Sequence, residues 1–463
     1  MFNNSAIKKA NQYRKEVESF IKKNSQPEII GIQDLANFYP RKDFFEKSKF
    51  SLGKKIISFL KKILKNKKIL SSTQPKETFD YLIISHLTSY DQINNDNDFY
   101  FGNIATGLGK KNVLFLLINH INVDQKKFKK NFRENCIVLP SFLSSLDELK
   151  MHLKTFILLF FKNLSCQKIQ LFSISNVASS VQSQRISKQV SYFVEKFKIK
   201  KVLFTFEGHS YEKLICSEVR RKNKKVICIG YQFTVLRKFQ HSMFLKIEKK
   251  YFPNIILTIN KYKNDILKKN FKNKIKIYIV GLLKKEKNNF LKKSTFYEGK
   301  KFTVLVMPEG IKSEIKLILR YCIENQNKRI IFCLRLHPIF KNNSFFKNLN
   351  VNEKANIKIS KNNIDKDFKQ NDYILYRGTA AVINATKVGL VPIYLNSSKE
   401  ITLDPLHHVN HLHFIKFKEN LLQFLMKIER EKIYLNEREK IYKFSKNFNE
   451  KKNFKNILKI IKK

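Results

Sequence analysis

The chain has 463 residues, 43% hydrophobic and 13% aromatic, which is enough for two or three domains with buried cores and excludes a disordered chain. Its formal net charge of +53 is the balance of a nucleic-acid binder or a membrane-surface protein. The cations are mostly Lys, spread along the whole length, and the aromatics fall inside apolar runs, so compositional bias explains the charge better and nucleic acid is not an expected partner.

The six Cys form no CxxC and no cluster with His at zinc spacing, and most sit in apolar runs, so a reducing compartment and no metal site are expected. The opening "MFNNSAIKKANQYRKEVESFIKK" is too polar for a secretory signal, and no run of about 18 apolar residues predicts a spanning helix. A cytoplasmic location follows as an expectation.

Residues 1–77 read as a basic helical extension. Within it Leu52, Ile56, Phe59, Leu60 and Ile63 recur at helical spacing beside Lys54, Lys55, Lys61 and Lys62. That pattern suits either an ordinary surface helix or one lying on an anionic inner-membrane surface, which would make the protein peripheral there.

From residue 78 short apolar runs alternate with longer helix-like stretches. The runs are "YLIIS" (81–85), "NVLFLLI" (112–118), "CIVLP" (136–140), "KIQLFSI" (168–174), "KVLFTFEG" (201–208), "KVICIGYQ" (225–232), "NIILTI" (254–259) and "KIYIVG" (276–281). A polar stretch, 283–301, reads as a linker. The alternation resumes with "FTVLVMPEG" (302–310), "RIIFCLRLHP" (329–338), "DYILYRGTA" (372–380) and "LVPIYLN" (390–396), and the chain is Lys-rich and helical from 416 to 463. Continuous apolar strands between helices predict parallel sheets covered on both faces. The expected fold class is therefore α/β: two Rossmann-like domains, 78–282 and 302–415, facing a central cleft, with a helical N-terminal extension and a C-terminal helical tail.

Ligands of open α/β sheets bind beyond the carboxyl ends of the strands, so the residues at the strand exits are the candidates. In the second half these are Glu309-Gly310, Arg335 with His337, and Arg377-Gly378-Thr379. Gly378 permits an unusual turn, and Thr379 falls where a helix begins, a place suited to a phosphate. Arg335 and His337 would supply positive charge to a departing phosphate, although an Arg at a strand end more commonly meets a carboxylate. In the first half Glu207, Gly208 and His209 leave a strand together. Glu207, or failing it His209, is the candidate general base for an acceptor hydroxyl. Glu212 is either an acceptor contact or a first-turn helix acid, and Tyr231 and Gln232 stand at the next exit as candidate acceptor contacts. The absence of a Walker A sequence and of GxGxxG argues against an ATPase or a dinucleotide enzyme.

The segments "FEGHSYEK…IGYQFT", "VMPEG", "LRLHP" and "YRGTAAVINATKVGLVPIYL…DPL" resemble the GT-B glycosyltransferases of bacterial surface-carbohydrate (capsule and O-antigen) synthesis. A broader likeness reaches bacterial sialyltransferases and CDP-glycerol glycerophosphotransferases. The resemblance spans about residues 78 to 415. It implies a metal-independent transferase that moves a sugar from a nucleotide-sugar (CMP-, CDP- or UDP-linked) to a glycan or lipid-linked glycan acceptor, with no other cofactor. In the sialyltransferases an acid-Gly motif supplies the base, an HP motif handles the donor phosphate and a Ser pair binds it. Glu207-Gly208 matches the first, in competition with Glu309-Gly310, and His337-Pro338 matches the second. Gly378-Thr379-Ala380 departs from the third. The alternatives are a glycerophosphotransferase or nucleotide-sugar epimerase on the same fold, or a non-catalytic scaffold of glycan assembly.

Overall fold

The computed structural model describes residues 12, 15–16, 18–24, 26–31, 70–71, 78–88, 91–94, 97–121, 133–141, 143–161, 177–236, 242–283, 299–337, 356–396, 404–450 and 452–463. The expected basic helix around 52–65 and the run at 168–174 lie outside these residues, as does Pro338. The chain forms two compact units.

The first unit is built on an eight-stranded sheet. Its strands are β1 (Leu70–Ser71), β2 (Tyr81–Leu87), β3 (Val113–Asn119), β4 (Cys136–Val138), β5 (Lys201–Thr205), β6 (Ile227–Gln232), β7 (Ile255–Thr258) and β8 (Lys276–Ile279). They lie in the order β1-β4-β3-β2-β5-β6-β7-β8. All neighbours are parallel except β1 against β4. The strands read as unbroken apolar runs because both faces are covered: every position of β3 from Val113 to Ile118 is buried. Helices α1 (Ser145–Phe161), α2 (Val177–Lys196), α3 (Ser210–Lys222) and α4 (Lys261–Phe271) belong to this unit. α3 shows why its sequence is helical there. Leu214, Ile215, Cys216 and Val219 make its buried face, Glu212 sits in the first turn, and Arg220, Arg221 and Lys222 complement the dipole in the last.

The second unit carries a six-stranded, all-parallel sheet of β9 (Phe302–Met307), β10 (Ile330–Leu334), β11 (Ile357–Ile359), β12 (Tyr373–Tyr376), β13 (Val391–Asn396) and β14 (Phe414–Lys416), ordered β11-β10-β9-β12-β13-β14. Its helices are α5 (Lys312–Glu324), α6 (Ile364–Gln370), α7 (Ala381–Lys387), α8 (Leu421–Arg430) and α9 (Lys432–Lys446). One core joins Val304, Val306, Phe332, Leu375 and Ile393 of the strands to Ile315 and Leu319 of α5 and Leu425 and Ile428 of α8. The two Rossmann-like parallel sheets expected from the sequence are present.

The C-terminal helices expected from residue 416 divide. α8 and α9 stay with the second sheet, whereas α10 (Phe454–Lys462) belongs to the first unit. There Lys201 at the start of β5 donates to the carbonyls of Ile461 (2.8 Å) and Lys462 (2.6 Å), placing an ammonium on the negative end of α10. Among the described residues no helix is long and apolar enough to cross a membrane.

Strand order locates the ligand crevices. In the first sheet β3 and β4 extend one way from β2, while β5 to β8 extend the other, so the order switches between β2 and β5. In the second sheet β10 and β11 lie on one side of β9, and β12 to β14 on the other, so the switch falls between β9 and β12. A crevice opens at such a point beyond the carboxyl ends of the strands.

Candidate active site

The two switch points are built alike. β5 runs into Glu207-Gly208 and then α3; β9 runs into Glu309-Gly310 and then α5. In each, the acid in the first turn of the helix turns back onto the exit. Glu212 accepts from the backbone N–H of Glu207 (2.9 Å), Gly208 (2.8 Å) and His209 (2.8 Å). Glu314 accepts from the N–H of Glu309 at 3.1 Å. These carboxylates tie down backbone N–H groups of the turn that leads into each helix, and so fix the direction in which Glu207 and Glu309 leave their strands.

That assigns Glu212. It is fully buried as a capping acid, not exposed to an acceptor as one expectation had it. Burial pushes its carboxyl up to about 8, against the pull of His209 and the backbone N–H groups. Gly208 has φ +87°, and a Cβ there would lie 2.6 Å from the backbone N and Cα of Met243. Both facts demand glycine. Gly208→Ala is therefore expected to lower stability by about 3 kcal/mol and to remove activity with it, measured as a fall in urea midpoint. An unchanged midpoint would show that the exit is not held this tightly.

At the first switch point Glu207 and His209 are half-buried, with Nε2 of His209 3.8 Å from Oε2 of Glu207. Behind them stands a group for which the sequence reading made no provision. His86, near the end of β2, places Nδ1 2.8 Å from Nε2 of His120, which follows β3. Its Nε2 lies 3.0 Å from Oγ1 of Thr205 and 3.2 Å from the Tyr211 hydroxyl. If the Thr205 hydroxyl donates to the single lone pair of Nε2, Nδ1 carries the proton and donates to His120, while the Tyr211 hydroxyl donates to Oε1 of Glu212 at 3.4 Å. Burial drives His86 down to about 3, with His120 adding to the effect and Glu207 opposing it. His120 is also lowered, by burial and then by His209. These imidazoles are thus neutral at physiological pH. The ring of Tyr100 meets His86 edge-on at 5.4 Å, and burial, then Glu207 and Asp98, raise its hydroxyl to about 12. The sequence signal for His86 was there: one polar ring at the exit of the apolar run "YLIISHL".

Further along this edge the expectations for Tyr231 and Gln232 are corrected. Tyr231 is buried, and its hydroxyl accepts from the N–H of Leu283 (3.0 Å), so it ties the end of the sheet together instead of reaching an acceptor. Gln232 is fully buried at the end of β6. Lys263, also buried, donates from Nζ to the carbonyl of Phe233 at 2.9 Å. Burial takes its ammonium well below the ordinary value, and Glu207 draws it partly back.

At the second switch point Glu309 lies across the Cα of Gly378, where a Cβ would come within 2.2 Å of Oε1. Only glycine admits the carboxylate there, which explains "RGT" more directly than a turn does. His337 is exposed at the exit of β10. Partial burial lowers its imidazole while Glu309 raises it, so the two share one electrostatic neighbourhood. Gly310 and Thr379 are half-buried, and Oγ1 of Thr379 accepts from the N–H of Ala381 at 3.4 Å, one residue past the N-cap of α7.

Arg335 is corrected. Its Nη1 donates to Oδ2 of the buried Asp367 on α6 (2.5 Å) and to the carbonyl of Asn362 (2.9 Å), and Ser360 and Asn362 complete the carboxylate's partners. It holds α6 against the exit of β10, as strand-end arginines commonly do, and does not project toward a phosphate. Arg335→Ala is expected to cost about 3 kcal/mol by stranding Asp367, read by denaturant unfolding. A variant as stable as the parent would return Arg335 to the ligand. Arg377 is likewise buried.

Beneath β12 lies a further polar group. Asp404 accepts from the Tyr376 hydroxyl (2.7 Å), the N–H of Leu406 (2.9 Å) and Nε2 of His411 (2.8 Å), while Nδ1 of His411 accepts from the N–H of His413 (3.2 Å). Tyr376, Asp404, Leu406, His411 and His413 are buried, so this part of "DPLHHVNHLH" forms an internal hydrogen-bonded network.

A cavity of about 880 Å³ in the first unit is lined by Lys249, Lys274, Lys276 and Lys459. It lies at the starts of β6, β7 and β8, the edge opposite Glu207. Among the described residues no group of three or more His, Cys, Asp or Glu is placed to hold a metal ion.

No family model matches the chain, and no curated protein does. Among solved structures the chain is similar to the UDP co-structure of Staphylococcus aureus MnaA (10% identity, 82% of this chain and 95% of that one, TM-score 0.48). It is also similar to the glycotransferase of kitacinnamycin (8% identity, 84% and 99%, TM-score 0.47) and to Acinetobacter baumannii MurG (8% identity, 83% and 99%, TM-score 0.44). These are distant likenesses in the path of the chain, and the assignment of two α/β units with parallel sheets stands on the strand order itself.

Proposed function

We propose that the protein is a glycosyltransferase of GT-B type that moves a sugar from a nucleotide-sugar to a hydroxyl of a surface-polysaccharide acceptor. The observation that carries this reading is that both sheets place an acid-Gly exit at their switch point, each aimed by a capping acid.

In this reading Glu207 takes the proton of the acceptor hydroxyl. The freed oxygen attacks the anomeric carbon of the donor, and the bond from that carbon to the nucleotide phosphate breaks. His209 supports Glu207, and neutral His86 holds the wall behind it without competing for the proton. The donor's phosphate sits at the second exit, against His337, Thr379 and the backbone of Gly378 and Gly310. His337 donates to the departing phosphate; burial lowers its imidazole on balance, while Glu309 and the phosphate itself pull toward the protonated ring. Glu309 is the competing base, but its carboxylate is laid over Gly378, whereas Glu207 is half-buried beside an imidazole.

Transfer of a glycerol phosphate would use the same hydroxyl activation at Glu207 and His209, and the scissile bond is what separates the two readings. Incubation with radiolabelled nucleotide-sugars and with CDP-glycerol, in the presence of a polysaccharide acceptor, distinguishes them. Sugar incorporation with release of nucleotide is expected. Incorporation from CDP-glycerol alone would select the alternative, and incorporation from neither would reject transfer.

A further inference from the structure

Helix α1 departs from the usual pattern of a surface helix. A helix on a globular surface turns its apolar stripe inward and its polar face to water. Here the inward face carries Glu148 and Thr155, both fully buried, with buried Met151 between them. Glu148 is paired with Arg185 of α2, whose Nη2 lies 2.7 Å from Oε2, and Thr155 accepts from Nε2 of Gln184 at 2.9 Å. The outward face carries Leu146 (69% exposed), Leu149 (42%), Leu153 (53%) and Ile157 (50%). Their spacing of three, four and four residues lines them up on one side of the helix over about 16 Å. Single exposed leucines need no explanation, whereas a contiguous stripe of four does.

Charge selects what covers this stripe. Lys150 and Lys154 are exposed along its flank, beside exposed Asp147 and with Lys154 paired to Glu28 at 2.9 Å, and the whole chain carries +53. A second copy would bring the same large positive charge against the first, which opposes self-association, whereas an anionic bilayer attracts both the flank and the chain. We infer that α1 docks the protein on an anionic lipid surface, lying in the plane of the interface with Leu146, Leu149, Leu153 and Ile157 in the acyl boundary and the lysines at the headgroups. This inference goes beyond the proposed reaction and does not rest on it.

The test is co-sedimentation of the full chain with vesicles of phosphatidylglycerol and phosphatidylcholine, compared with phosphatidylcholine alone, for the parent and for Leu149→Glu/Leu153→Glu. Both leucines are exposed, so the double variant keeps its melting temperature, which is measured alongside. The parent is expected to bind the anionic vesicles and not the neutral ones, with at least about tenfold loss in the double variant and in high salt. Undiminished binding by the variant would overturn the inference and move membrane contact to another segment, such as the basic pattern around residues 52–65. A dimer of the parent in light scattering that the double variant dissociates would also overturn it, since the stripe would then belong to a second copy.

Discussion

Glu207→Gln is expected to reduce turnover about a thousandfold while leaving nucleotide-sugar affinity within about twofold of the parent. The amide preserves the shape of the exit and its neighbour His209, which lies 3.8 Å away in the parent. Glu212, which fixes the exit through the backbone N–H groups, is untouched. What the substitution removes is the acceptor of the hydroxyl proton. Single-turnover rates at saturating donor, together with donor affinity by calorimetry, check this. A loss confined to affinity would place Glu207 at the donor, and a near-parental rate would pass the role of base to Glu309 or His209.

The second large effect is expected at His337. His337→Ala should lower kcat/KM by about a hundredfold or more, because a donor of hydrogen bonds to the departing phosphate acts chiefly in the transition state. The ring is exposed at the end of β10, and its removal leaves no cavity in the core, so the melting temperature should hold. Donors with a better leaving group should recover part of the loss, since they need less stabilisation of the departing charge. Equal losses for good and poor leaving groups would make His337 a binding or shaping residue.

Much of this architecture was legible because a parallel strand covered on both faces writes itself as a continuous apolar run. "NVLFLLI" and "FTVLVM" read directly as β3 and β9. The edges were not legible. β11 and β14 are three residues long, and β11 keeps only Ile357 buried, so neither leaves a run to see. Strand exits placed Glu207, His209, Glu309 and His337 at the carboxyl edges of the sheets, but not the direction of each side chain. Arg335 and Tyr231 leave strands as His337 does, yet their partners, Asp367 and the backbone of Leu283, come from segments far along the chain that no local pattern announces. The His86–His120–Thr205 group has the same origin: three strands, each contributing one polar residue, joined only when the sheet forms.

The similarity of the two exits is also a product of folding rules. An acid, a glycine and a second acid five residues on allow a strand to turn sharply into a helix, with the N–H of the first acid held by the carboxylate of the second. Gly208 of the first exit and Gly378, which follows β12, answer different needs. Gly208 supplies a left-handed backbone angle beside Met243, whereas Gly378 leaves room for the Glu309 carboxylate.

The most direct test is thermal unfolding of the purified chain with CMP, CDP, UDP and GDP and their sugar conjugates, for the parent and for His337→Ala. One nucleotide at a hundredfold excess over its Kd should stabilise the parent by about 2.7 kcal/mol, and the variant clearly less, which would place a nucleotide at the second switch point. A folded parent that none of these compounds stabilises would contradict the account of a nucleotide-sugar transferase.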